Sequence, residues 1–165
     1  MFDILRVILM ILSLTIGLIA YFLVASALFP QPVAKTKRII QSMPGRSFGI
    51  GLVNFVFFTV IALTLFSASE KIGNGFVKAL TAIPALLILA LLAIVLGFGL
   101  TGMVNLLGER IFPETIAWKQ TAWGTVCLSL ACALPFVGWF LLLPYTGFLG
   151  IGAVILGFLP REPKS

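Results

Sequence analysis

"AIPALLILALLAIVLGFGLTGMVNLLGER", residues 82–110, decides what kind of molecule this is. From Ala79 to Gly108 the chain carries no ionisable side chain. A helix over 79–107 is about 43 Å long, more than the ~30 Å hydrocarbon core of a bilayer. Such a helix must tilt, kink or protrude, and Pro84, Gly97, Gly99 and Gly102 are its bending points. Within the stretch Ala93, Gly97, Thr101 and Asn105 recur every four residues, so they share one helix face. That face is either the wall of a pathway or a seam where another helix packs. Small residues admit a neighbouring backbone, and a water-filled path calls for more polar atoms than this face holds. The stripe therefore reads as a seam.

The rest of the chain has the same character. Of 165 residues 61% are hydrophobic and 10% charged, against roughly 25% charged in a soluble domain. This predicts an all-α, polytopic helical bundle forming a single membrane domain over 1–165. Five spans are expected, at about 4–29, 48–66, 79–107, 118–138 and 141–159; four spans, or a re-entrant C-terminal hairpin, are the alternatives. Pro30 and Pro32 end the first span. Ala25-Ser26-Ala27 has the form of a signal-cleavage site. The apolar run from Ile4 to Phe29 is too long for a signal core, so an uncleaved span is expected. Ser67 to Lys78, with Gly73-Asn74-Gly75, reads as a polar turn. In the loop from Gly108 to Gln120, Pro113-Glu114 reads as a helix start, and Trp118 and Trp123 as an interfacial belt. The break in the last apolar block falls among Pro135, Gly138, Pro144 and Gly147, with Trp139 and Tyr145 at an interface.

Charge tests the count, because Lys and Arg in loops stay cytoplasmic. Five spans with the N-terminus outside place Lys35, Lys37, Arg38, Arg46, Arg110, Lys119, Arg161 and Lys164 inside, and Arg6, Lys71 and Lys78 outside. A last block that crossed once would leave six inside and five outside. The reading is a multi-pass protein of the cell inner, or another energy-converting, membrane with a cytoplasmic C-terminus.

Val33 to Met43 lies between two prolines. At 100° per residue Val33, Thr36, Ile39, Ile40 and Met43 fall on one side, with Lys35, Lys37 and Arg38 on the other. The expectation is a short amphipathic helix in the headgroup region, with Lys35, Lys37, Arg38 and Arg46 meeting anionic headgroups or an acidic partner.

Reactive chemistry has little to stand on. The acids Asp3, Glu70, Glu109, Glu114 and Glu162 all lie at span ends or in loops, and His is absent. No paired carboxylates and no metal-ligand cluster can be drawn, so no catalytic residue, metal or cofactor is expected. Bound lipid is expected, and a pigment held through other ligands is left open. Cys127 and Cys132, five apart, are read as small buried hydrophobes rather than a disulfide. Asn54 and Asn105 are expected to hydrogen-bond between helices, and Ser13 with Gly17 and Gly45 with Gly49 to pack them. The glycines of "GFLGIG" lie in an apolar span, outside any βαβ context, and make no nucleotide loop. A faint repeat at an offset of 51 aligns Ala82-Ile83-Pro84 with Ala133-Leu134-Pro135, and Gly99 with Gly150.

"MPGRSFGIGL" at 43–52, then "ALPFVGWFLLLPYTGFLGIGAVILGF" at 133–158, carry a resemblance through Pro44-Gly45-Arg46, Pro135, Gly138, Trp139, Gly150, Gly152 and Ala153. Over about residues 43–160 the chain resembles a polytopic membrane region associated with bacterial bactofilin-type polymer-forming proteins. No bactofilin β-helix domain is present. The resemblance implies a bacterial inner-membrane anchoring or scaffolding role and assigns no catalytic residue.

The function these readings point to is a non-enzymatic accessory or scaffolding subunit of a larger bacterial membrane complex. Its partners would be membrane lipids and other membrane subunits, not nucleic acid or a soluble substrate. The alternative is a small channel or transporter for a neutral or apolar solute, lined by Asn54, Thr59, Thr101 or Asn105. A lipid-directed enzyme using Glu109, Arg110 and Glu114 at the interface is the third.

Overall fold

The computed structural model describes residues 2–70, 75–134 and 136–158. The polar turn expected from Ser67 to Lys78 is corrected: Ser67 to Glu70 and Gly75 to Lys78 are helical, while residues 71–74, the break at Pro135 and the basic tail with Arg161 and Lys164 lie outside the described residues. Among the described residues six α-helices follow one another: α1 (Phe2–Leu28), α2 (Pro30–Ser42), α3 (Pro44–Glu70), α4 (Gly75–Ile111), α5 (Ala117–Ala133) and α6 (Leu143–Phe158). A π-helical turn, Gly138–Leu142, leads into α6. No strand occurs among the described residues.

Proline sets the first two boundaries. Phe29 and Met43 each precede a proline, which disfavours the helical conformation in the preceding residue; their φ angles are −126° and −141°. Pro30 and Pro44 then open α2 and α3, where a missing N–H costs nothing. So α3 starts at Pro44, four residues before the expected span, because "PGRS" forms its first turn. The expected helix start at Pro113-Glu114 is corrected: α5 begins at Ala117. The Gln120 side-chain amide donates to the carbonyls of Phe112 and Pro113 at 3.1 and 3.3 Å, and the Thr115 N–H donates to Phe112. Those bonds hold the loop as a tight turn rather than a helical one. In the last block the chain reverses at Phe136, which has a left-handed φ of 68°. Pro144 and Gly147 run on inside α6. The wide π turn sits just before Pro144, whose ring clashes with a regular helix.

Helix directions follow from the register of close approaches. Gly108 meets Gln120 and Gly124 meets Val104, so α4 and α5 are antiparallel. Gly51 meets Phe148 and Gly152 meets Ser47, so α3 and α6 are antiparallel. Gly99 meets Gly150 and Gly147 meets Leu96, so α4 and α6 run the same way. The last block is therefore a hairpin, and α6 is the centre of the bundle. Half of its membrane-length segment is buried, against 11%, 11% and 6% for those of α1, α3 and α4.

Among the described residues four helical segments are long and apolar enough to cross a membrane: Ile8–Leu28, Pro44–Glu70, Lys78–Ile111 and Phe140–Phe158. The fifth expected span, α5, has 17 residues, a length of about 25 Å.

The amphipathic segment is helical, as expected, but its apolar face is not turned to lipid. Val33, Thr36, Ile39 and Ile40 are at most 5% exposed. Ile39 and Ile40 join Leu106, Leu149 and Ala153 in the apolar core, and Thr36 sits against Gly102. Of the predicted apolar arc only Met43 is exposed. Small residues on α4 and α6 leave a groove into which α2 fits, so protein covers the face that the pattern had assigned to the bilayer.

Candidate functional site

The opening stripe of α4 is a seam from Gly97 onward. Ala93, its first member, is exposed. A side chain at Gly97 would collide with the Tyr21 hydroxyl of α1. Thr101 is fully buried, and its hydroxyl donates to the Gly97 carbonyl at 2.7 Å. Asn105 closes the stripe as a junction of three helices. Its Nδ2 donates to Ser26 Oγ of α1 at 3.0 Å, and its Oδ1 accepts from Thr121 Oγ1 of α5 at 2.7 Å. Both ends of one amide are thus used across helix boundaries, the outcome expected of an amide in apolar surroundings.

The other packing candidates fall differently. The Asn54 amide donates to Ile50 O of its own helix at 2.8 Å, not to a neighbour. Gly17, Gly45 and Gly49 are exposed with open space around them, and Ser13 is exposed too. Among the described residues those four pack against no other helix. The packing face of α3 is the opposite one, carrying Ser47 and Gly51. A side chain at Gly51 would strike the backbone of Phe148 and Gly152, and one at Gly152 the backbone of Ser47 and Gly51. Two residues make a 200° turn, so Gly49 and Gly51 look in nearly opposite directions. Gly99 and Gly150 form the matching close approach of α4 to α6. The spacing of Gly147, Gly150 and Gly152 carries this signal in the sequence.

At the end of the bundle where α1, α2, α4 and α5 meet, a half-open cleft of about 630 Å³ forms above Asn105. Lys37, Arg38, Gln41, Glu109 and Gln120 surround it. Leu23, Ala27 and Ala34 give it apolar walls, and exposed Trp118 stands at its rim. Lys37 Nζ lies 2.5 Å from a Glu109 carboxylate oxygen, so one predicted lipid-facing cation has its acidic partner inside the chain. Lys35, Arg38 and Arg46 are exposed; the Arg46 guanidinium donates to the Met43 sulfur at 3.9 Å. Ser26, Thr121 and Glu109 were not singled out with Asn105 from sequence. Hairpin symmetry could have found Thr121, because residues 105 and 121 are equidistant from Pro113 at the α4–α5 turn.

No group of three metal-ligating side chains occurs among the described residues. Cys127 and Cys132 are both free and half-buried. Of the four residues named for a solute path, Asn105 alone lines the cleft.

The fold and cleft define an all-helical membrane protein whose central helix is glycine-rich. No known protein family, curated protein or solved structure matches the chain.

Proposed function

We propose that this chain is a non-catalytic accessory or scaffolding subunit of a larger bacterial inner-membrane assembly, as the bactofilin-associated resemblance also implies. In this reading α1, α3, α4, α5 and α6 are embedded, with the N-terminus outside and the C-terminus cytoplasmic. The turn between α5 and α6 exposes Phe136, Phe140 and Leu141 and suits lipid depth. Whether that hairpin crosses fully or re-enters, residue 158 returns to the side of residue 117. Lys35, Lys37, Arg38, Arg46, Arg110 and Lys119 then share the cytoplasmic face, in keeping with the positive-inside rule.

The observation that carries the reading is the contrast between the two halves of α1. Its second half is tied in through Tyr21, Phe22, Ala25 and Ser26. Its first half, through Leu14, is exposed wherever it is described, and Ser13 and Gly17 leave a small-residue face open. Meanwhile Asn105, Thr101, Thr121 and Thr125 all spend their side-chain hydrogen bonds on helix packing or on their own helix. The molecule thus has polar groups for cohesion and an open helix arm to offer a partner.

The test is purification from native membranes in mild detergent, with a Gly17→Leu variant in parallel. A membrane subunit at fixed stoichiometry, lost in the variant while the fold is kept, supports the reading. A lone monomer in both preparations overturns it. Flux of a neutral solute into liposomes, abolished by Asn105→Leu, would replace it with the transport reading.

A further inference from the structure

The cleft above Asn105 is graded in polarity. On one side stand Arg38 and Gln41, one helical turn apart on α2. On the other run Leu23 and Ala27 of α1, with Trp118 of α5 at the rim. Its charges are unbalanced. Glu109 is matched by Lys37, which leaves the Arg38 guanidinium without an acid among the described residues. The volume lies within the roughly 300–1,000 Å³ of ordinary ligand sites, and the opening faces outward at the cationic end of the bundle. A guanidinium presents forked donors that match phosphate oxygens, and an indole favours the boundary between headgroup and acyl chain.

We propose that this cleft binds the phosphate headgroup of an anionic phospholipid. Arg38 takes the phosphate, Gln41 adds an amide donor, and the glycerol–acyl junction lies along Leu23 and Ala27. The Lys37–Glu109 pair sets the floor: it prevents an unpaired carboxylate from repelling the phosphate and holds α2 against α4. The apolar wall is what selects a lipid over free phosphate, since inorganic phosphate gains nothing from Leu23, Ala27 or Trp118. The site holds whether or not the protein has a partner subunit.

The experiment is native mass spectrometry of the full chain released from detergent, with dioleoylphosphatidylglycerol or dioleoylphosphatidylcholine added. A phosphatidylglycerol adduct is expected, retained about tenfold more than phosphatidylcholine and reduced about tenfold by Arg38→Gln, the worth of one charge-assisted hydrogen bond. Gln41→Leu should weaken it less. Arg110→Gln removes an exposed cation from the same end but outside the cleft, and should leave the adduct unchanged. Equal retention of the two lipids would remove the preference for an anionic lipid, and equal loss with Arg110→Gln and Arg38→Gln would reduce that preference to general surface charge; either result overturns the site. Displacement of the lipid by millimolar inorganic phosphate alone would overturn the assignment to a lipid.

Discussion

Removing the Asn105 amide should loosen three helices at once. In Asn105→Ala the bonds to Ser26 and Thr121 are both lost. Cross-helix hydrogen bonds in membranes average about 0.6 kcal/mol, so two come to about 1.2 kcal/mol, or a factor of about 8 in the folding equilibrium. The loss should not be larger, because neither partner is stranded. Thr121 keeps its bond to Ala117 O at 3.1 Å, and a helical serine can turn to the carbonyl four residues back. The vacated volume opens onto the cleft, so no sealed cavity adds to the cost. Unfolding by SDS titration in mixed micelles measures the change. Double-mutant cycles then divide it, Asn105→Ala with Ser26→Ala and Asn105→Ala with Thr121→Val, each with a coupling of about 0.6 kcal/mol. Coupling near zero in both cycles, with Asn105→Ala as stable as the parent, would refute the three-helix junction.

The two faces of α3 should answer oppositely to substitution. Gly51→Val or Gly152→Val forces backbone apart and should cost about 3 kcal/mol or more, the upper end of overpacking penalties, seen as loss of folded protein in size-exclusion profiles. Gly49→Ala meets open space and should be neutral or stabilising by up to about 1 kcal/mol, since alanine is the better helix former. The Ser47 hydroxyl is fully buried without a hydrogen-bond partner, so Ser47→Ala should stabilise by about 1 kcal/mol in the same titration; a clear loss would mean the hydroxyl is satisfied. Lys37→Met should cost under about 1 kcal/mol, because both partners of its ion pair are partly solvated. That difference should shrink further as salt is raised.

Much of the fold is legible in local chemistry. Pro30 marks the end of the first helix, and the charge-free run from Ala79 to Gly108 dictates a long apolar helix. A third of the candidate packing residues are legible as well. Gly97, Thr101 and Asn105 lie in a seam because small and amide side chains at four-residue spacing suit little else in lipid. Gly45 and Gly49 show the limit of that rule. Small residues four apart declare a face on which a helix could pack, and Gly51, two positions on, declares the opposite face equally well.

Composition and periodicity alone determined that this chain is a helical membrane protein whose acids lie at span ends or in loops, because lipid demands helices and penalises charge regardless of what lies nearby. They also determined that Val33, Thr36, Ile39 and Ile40 share an apolar face. Only the tertiary structure decided what covers that face. Bilayer and protein interior are nearly equivalent solvents for an isoleucine, so a pattern cannot tell them apart. The outcome depends on whether α4 and α6 leave a groove at that level. The cleft depends on the same geometry, since Lys37, Asn105 and Gln120 come together only once four helices have set their angles.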